Sequence, residues 1–200
     1  MKGVEILSKI LKGLRIGFAM TGSFCTFEKS FQQAEILMKS GAELLPIMSE
    51  HASTIDTKFG TAAENINKLC SITKKKVIIS ISEAETIGPK ELTDIMVIAP
   101  CTSNTAAKLA ASITDTTVTM AVKSHLRHGK PVVLAIASND SLMGSAKNIG
   151  ELLNRKNYFF VPMLQDDCIN KPASLVADFS LLPKALEVAI KGAQLRPIIY

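Results

Sequence analysis

From Leu14 onward, short apolar runs alternate with stretches of helical period, which is the pattern of a parallel sheet covered by helices on both faces. The runs predict strands over 15–20, 43–48, 77–80, 94–99, 131–137 and 158–161. Between them, the helical period and its stop signals predict helices over 24–40 (closed by Gly41), 61–72, 104–112, 117–128 (closed by Gly129) and 145–155. A last helix over about 174–192 is expected to pack back on the sheet, and 166–173 is the expected long loop. Ahead of the first strand, Val4, Leu7, Leu11 and Leu14 recur at helical spacing with the lysines mostly off that stripe. This predicts an amphipathic helix over 1–13, packed on the domain or on a neighbouring subunit, and 14–200 as one domain.

Composition narrows the picture. With 200 residues, 47% of them hydrophobic, the chain has enough apolar surface for one sizeable core. Its net charge of +5 is modest, and with no Trp and two Tyr it lacks the aromatic material for base stacking, so nucleic acid is not an expected partner. No segment approaches the roughly 18 apolar residues of a membrane span, and the N-terminus has no uninterrupted signal-peptide core. Cys25, Cys70, Cys101 and Cys168 are far apart with no metal or CxxC spacing, and are expected to be reduced thiols of a cytoplasmic protein. His51, His125 and His128 lack a convincing ligand set, so no metal site is expected.

Chemistry concentrates where strands run into hydroxyl-rich helix starts. Asp94 to Lys108 reads as a buried strand followed by Pro-Cys-Thr-Ser-Asn-Thr, and an open α/β sheet places its ligand at such joins. Thr21, Gly22 and Ser23 after the first strand suit an anion nest at a helix start, and equally an ordinary turn and N-cap; neither GxGxxG nor GxxxxGK[ST] is present. Ser49 ends the second strand within reach of the same phosphate, with His51 beside it as a surface or capping residue or an acid–base group. Pro100 ends the fourth predicted strand and Ser103 is read as the cap of the next helix, while Thr102, Ser103 and Asn104 offer polar edges for a flat heterocycle. Cys101 reads as either buried or redox-active. Asp115-Thr116-Thr117 fits a helix cap or a ligand contact. Residues 137–144, Ala-Ser-Asn-Asp-Ser-Leu-Met-Gly, are a candidate substrate clamp through Asn139 and Met143. The basic run Lys123, His125, Arg127, His128, Lys130 sits at a helix C-terminus, where it opposes the helix dipole or recruits an anion.

Gly-Phe-Ala-Met-Thr-Gly-Ser-Phe-Cys-Thr, Ala-Pro-Cys-Thr-Ser-Asn-Thr-Ala-Ala-Lys and Ala-Ser-Asn-Asp-Ser-Leu-Met resemble the homo-oligomeric flavin-containing Cys decarboxylase-type flavoproteins over Leu14 to about Gly192. The resemblance implies a Rossmann-like, three-layer fold with a mostly parallel six-stranded sheet. It implies FMN with its phosphate at Thr21, Gly22, Ser23 and Ser49 and its ring near Pro100, Thr102, Ser103 and Asn104, in a homo-oligomer. It further implies an oxidoreductase subunit acting in spore formation, with a separate dehydrogenase-like partner carrying NAD(P). The implied reaction converts a dihydropyridine dicarboxylate to the aromatic dicarboxylate, with Lys108 or Arg127 available to its carboxylates. An FMN-dependent decarboxylase or prenyltransferase, or a non-catalytic binding subunit, are the alternatives. The chain departs from the family at Thr86, where the decarboxylases carry a histidine, and at Ile136-Ala137-Ser138-Asn139, where many carry Pro-Ala-Met-Asn.

Overall fold

In this computed structural model, residues 10–200 are described, so the predicted N-terminal helix lies outside them apart from its last turn, where Leu11 is fully buried. The strands are β1 (Arg15–Met20), β2 (Glu43–Met48), β3 (Ile95–Cys101), β4 (Val132–Ser138), β5 (Tyr158–Phe160), β6 (Met163–Leu164) and β7 (Leu175–Ala177). The helices are α1 (Phe27–Lys39), α2 (Glu50–Thr54), α3 (Ala62–Thr73), α4 (Ile81–Glu85), α5 (Ser103–Ala110), α6 (Thr117–Leu126), α7 (Ala146–Leu153) and α8 (Leu182–Ala189), with single 3₁₀ turns at Phe24–Thr26 and Phe179–Leu181.

Strands β2, β1, β3 and β4 lie side by side and parallel. The outer edge of β4 is shared: its first half pairs parallel with β5, and Ala137 and Ser138 pair antiparallel with β7, which carries β6. The result among the described residues is a seven-stranded, mostly parallel sheet. Alternate residues of each central strand face opposite helical layers. Phe18, Val97 and Val133 pack with Phe31, Leu37 and Leu186, whereas Ala19, Ile98 and Leu134 pack with Ala106, Val122 and Leu152. Burying one such side chain contributes about 1.5–3 kcal/mol, so a one-residue slip of β3, which is buried at every position, would misplace a whole layer.

Several expectations are corrected. Residues 77–80 do not form a strand: Ile78 makes only an isolated bridge to Ile47, because the left-handed Lys74 starts the segment late and the Ser80 hydroxyl caps α4. The predicted last helix is α8 alone. Its first part is β7, which fills the edge of β4 left open where β5 ends, and Pro183 sits in the first turn of α8, a start signal that the sequence carries. The short helices α2 and α4 were not expected. Gly41 and Gly129 follow their helices with φ of +84° and +65°, where a Cβ would be strained.

Candidate functional site

The strand order reverses between β1 and β3, and at such a switch point the loops after the two strands part to leave a crevice. Here one side chain holds those loops together. The Thr21 hydroxyl donates to the Pro100 carbonyl (2.8 Å) and accepts from the Thr102 amide (3.0 Å), and Thr21 is 1% exposed. Thr21 therefore shapes the site mainly from beneath, and it forms part of the lining of the first cleft described below. Thr21→Val keeps the volume but leaves the part-buried Thr102 amide without its acceptor, while the Pro100 carbonyl still accepts from the residue-21 amide (3.2 Å), and is expected to cost about 1–2 kcal/mol in urea denaturation. An unchanged midpoint would mean that the two loops do not depend on this link.

Thr102, rather than Ser103, caps α5: its hydroxyl accepts from the Thr105 amide at 3.3 Å. Ser103 is thereby released toward Asp140. The Asp140 carboxyl is held below its usual range by hydrogen bonds, foremost from Ser138 and then from Ser145 and Ser103. With Ser138 Oγ at 2.6 Å and Ser145 Oγ at 2.9 Å, Asp140 buttons the 138–145 loop. That loop is joined in turn to the 166–173 loop, where the Leu142 amide donates to the Ala173 carbonyl at 2.9 Å.

Two clefts open on either side of a wall made by Gly22 and Thr102. The first, about 600 Å³, is lined by Ser49, His51, Asn104 and Thr116 with Phe24, Ile55 and Ile81 as apolar walls. The second, about 520 Å³, is lined by Ser23, Ser103, Asn139 and Asp140, with Lys29 and Lys171. The expected site residues are thus brought to one end of the sheet but divided between two spaces. Pro100 lies within β3 and lines neither cleft, and Met143, 71% exposed, lines neither.

In the first cleft, Ser49 caps α2 by accepting from the Ala52 amide (3.3 Å), and its own proton is left for a ligand. Glu50 Oε1 accepts from the Thr117 amide (2.9 Å) and hydroxyl (3.0 Å), so the start of α6 is held by the first residue of α2, remote in sequence. Thr116 adds a capping box with Thr119, so Asp115-Thr116-Thr117 serves as cap and as cleft wall together. Lys108 Nζ lies 2.7 Å and 2.8 Å from the two Asp115 oxygens and keeps that carboxyl below its usual range. A Cβ on Gly22 would lie 3.5 Å from His51 Cβ and 3.6 Å from the Phe24 ring, so the absence of a side chain there widens the cleft.

Other candidates fall elsewhere. Cys101 is fully buried and its thiol is pushed up to about 12 by that burial, so it is neither a thiolate nucleophile nor a redox group at neutral pH. Arg127 lines neither cleft. Thr86 donates its hydroxyl to the Glu83 carbonyl (2.9 Å) at the end of α4 and lines neither cleft. The basic run is not a uniform charged patch: His125 is 1% exposed between the Thr93 hydroxyl and the Pro131 carbonyl. No group of metal-ligating side chains occurs among the described residues, and none of their helices is long and apolar enough to cross a membrane. Lys29, Glu50 and Lys171 went unrecognised in the sequence. The one local signal was the i, i+3 spacing from Thr26 to Lys29, which puts both on one helix face.

A model of the Flavoprotein family matches residues 5–179. The chain is 46% identical over 189 residues to the B subunit of dipicolinate synthase from Bacillus subtilis (strain 168), covering 94% of each. It is also similar to the crystal structure of the dipicolinate synthase B subunit from Bacillus halodurans C, with a TM-score of 0.87 and 42% identity over 95% of this chain and 97% of that one. The FMN-dependent cysteine decarboxylase SpaF shares the fold at 21% identity, with a TM-score of 0.69 over 90% of this chain and 98% of its own. A family match over most of the length, together with two relatives above 40% identity across nearly the whole of it, places the chain: it belongs to the flavoprotein family.

Proposed function

We propose that this chain acts as the flavoprotein-like B subunit of a dipicolinate synthase, in the cytoplasm during spore formation, as a homo-oligomer with a separate A subunit. The reaction converts a dihydrodipicolinate-type precursor to dipicolinate, removing a hydride and a proton so that the ring becomes aromatic. The observation that carries the reading, beside the likeness to the two dipicolinate synthase relatives, is the pair of clefts meeting at one wall. One is large enough for a flavin nucleotide and the other for a small dicarboxylate.

The residues present fit FMN in the first cleft. Gly22 lets a ligand approach the backbone, the Ser49 hydroxyl is available to a phosphate, and Asn104 faces the same space from the first turn of α5. Phe24, Ile55 and Ile81 supply apolar surface for a flat ring. When bound, FMN would supply the hydride acceptor, and NAD(P) on the A subunit would be the final acceptor of the two electrons. In the second cleft, Ser23, Ser103 and Asn139 orient the dicarboxylate and Lys29 opposes its charge, while Lys171 is engaged by Asp166 (3.5 Å), which lines the cleft with Asp140. Lys108 is engaged by Asp115 and steadies the first cleft, and Arg127 stands outside this arrangement.

Titration of the purified chain with FMN, followed by flavin fluorescence with and without the A subunit, tests the reading. Saturable quenching is expected. No binding in either state would move the hydride transfer to NAD(P) on the A subunit and leave this chain a binding role. Because Ser23 and Asn104 line different clefts, their substitutions separate: Asn104→Ala is expected to weaken FMN by about tenfold and Ser23→Ala to raise KM for the dicarboxylate, each having lost one hydrogen bond to a polar or charged ligand. Equal effects of both variants on FMN alone would refute the division into two spaces.

A further inference from the structure

The basic run near the end of α6 divides by environment. His125 is buried, and Lys130 donates to the Thr93 carbonyl (2.8 Å) and faces Glu91 (3.5 Å). Lys123 and Arg127, by contrast, are exposed and form no ion pair among the described residues. Both line a groove of about 360 Å³ between α5, α6 and β5 that shares no residue with either cleft. Its floor is apolar, from Leu109, Val122 and Leu126, and no Asp or Glu lines it.

Arg155 and Tyr158 line the groove as well, beside the hydroxyls of Ser112, Thr114 and Thr119. The Arg155 guanidinium lies across the end of α5, where Nη1 donates to the Leu109 carbonyl (3.1 Å), Nη2 to the Ala110 carbonyl, and Nε to Glu151 (2.9 Å). It therefore occupies the carbonyls whose partial negative charge would otherwise repel an anion. The Tyr158 hydroxyl has no hydrogen-bond partner among the described residues, and burial pushes the phenol up to about 12, so it remains a neutral donor. A purely apolar ligand would leave these donors and cations unmatched, and a sugar phosphate would leave the floor unused. The volume lies within the range of about 300–1,000 Å³ usual for small-molecule sites.

We propose that this groove is a second ligand site that takes a small aromatic carboxylate, with the ring on Leu109, Val122 and Leu126 and the carboxylate toward Lys123, Arg127 and the Tyr158 hydroxyl. The proposed reaction forms an aromatic dicarboxylate, so the groove would sense product, and only that step and the choice of probe rest on the functional reading. The test is calorimetric titration of the full chain, in metal-free buffer, with pyridine-2,6-dicarboxylate and with benzene-1,3-dicarboxylate, which has the same carboxylate geometry without the chelating nitrogen. Saturable binding is expected, weakened at least about tenfold by Lys123→Ala/Arg127→Ala and severalfold by Tyr158→Phe, with FMN affinity unchanged in the double variant. Because both cations are exposed, that variant is expected to fold normally. Absence of binding by both probes overturns the proposal. Binding abolished by Asn139→Ala but untouched by the double variant overturns it too, by assigning the ligand to the second cleft. Failure of FMN binding would count against the functional reading and leave the groove as it stands.

Discussion

Gly88→Ala is expected to lower the melting temperature by about 10 °C, the consequence of about 3 kcal/mol of overpacking in a chain of this size. A Cβ on Gly88 would lie 2.2 Å from the Ser124 carbonyl oxygen, 2.9 Å from its carbonyl carbon and 2.8 Å from its hydroxyl. Two of these are backbone atoms of α6, so rotating a side chain cannot relieve the overlap. The same contact is a hydrogen-bonded seam: the Gly88 amide donates to Ser124 Oγ at 2.7 Å, which donates to the Glu85 carbonyl at 2.7 Å. Separating the seam would shift α6, whose N-cap Thr116 lines the first cleft and whose first residue Thr117 meets Glu50. Ser124→Ala removes the hydrogen bonds without crowding and should cost less, about 1–2 kcal/mol. Thermal unfolding followed by circular dichroism decides. A melting temperature for Gly88→Ala within about 2 °C of the unmodified chain would show the seam to be looser than described.

Acidification from pH 7 to pH 4 is expected to remove up to about 3 kcal/mol through His125 alone. The Pro131 carbonyl can only accept, so Nε2 at 3.0 Å carries the proton and Nδ1 accepts from the Thr93 hydroxyl at 2.8 Å. Burial foremost, with Lys130 and His128 adding repulsion, lowers the imidazole to about 4, against smaller opposing effects of the Pro131 carbonyl and Asp94. Below the unfolded value of about 6.5 the unfolded chain takes up a proton that the folded chain refuses, so stability falls until the folded value is reached. The depressed carboxyls of Asp94, Asp115 and Asp140 add their losses lower still, as pH falls below the ordinary carboxylate range. Urea denaturation at pH 7, 6, 5 and 4.5 should show this slope, and His125→Gln should be flatter over the same window. Parallel curves for the two proteins would exclude His125 as the titrating group.

The joins between strand and loop were legible because their signal is local. The change from Ile-Met-Val-Ile-Ala to Pro-Cys-Thr-Ser-Asn-Thr at β3, and from Phe-Ala-Met to Thr-Gly-Ser at β1, marks a buried strand opening onto a helix start without reference to anything distant. The family likeness in the sequence rests on those segments together with Ala-Ser-Asn-Asp-Ser-Leu-Met at 137–143, and the family match extends over residues 5–179. Where the expectation failed, a distant partner had overruled local preference. The stretch around Leu175 carries helical spacing, yet it is a strand because β4 presents an open edge to it, and the hydroxyl expected to cap α5 is displaced by its neighbour because Thr102 is tied to Thr21.

Sequence alone determined the alternation of strands and helices, the parallel character of the sheet and the end of it that holds the polar loops, since each follows from side-chain period and from hydroxyls next to helix starts. Tertiary structure decided how those polar residues are used. It joins Thr21 to Thr102 across 81 residues and Glu50 to Thr117 across 67, divides one expected pocket into two clefts, buries Cys101 and His125, and turns Lys123 and Arg127 onto a separate groove. The physical reason is that burial and hydrogen-bond partnership depend on residues remote along the chain. These relations set whether a hydroxyl is engaged, an imidazole neutral or a cation free.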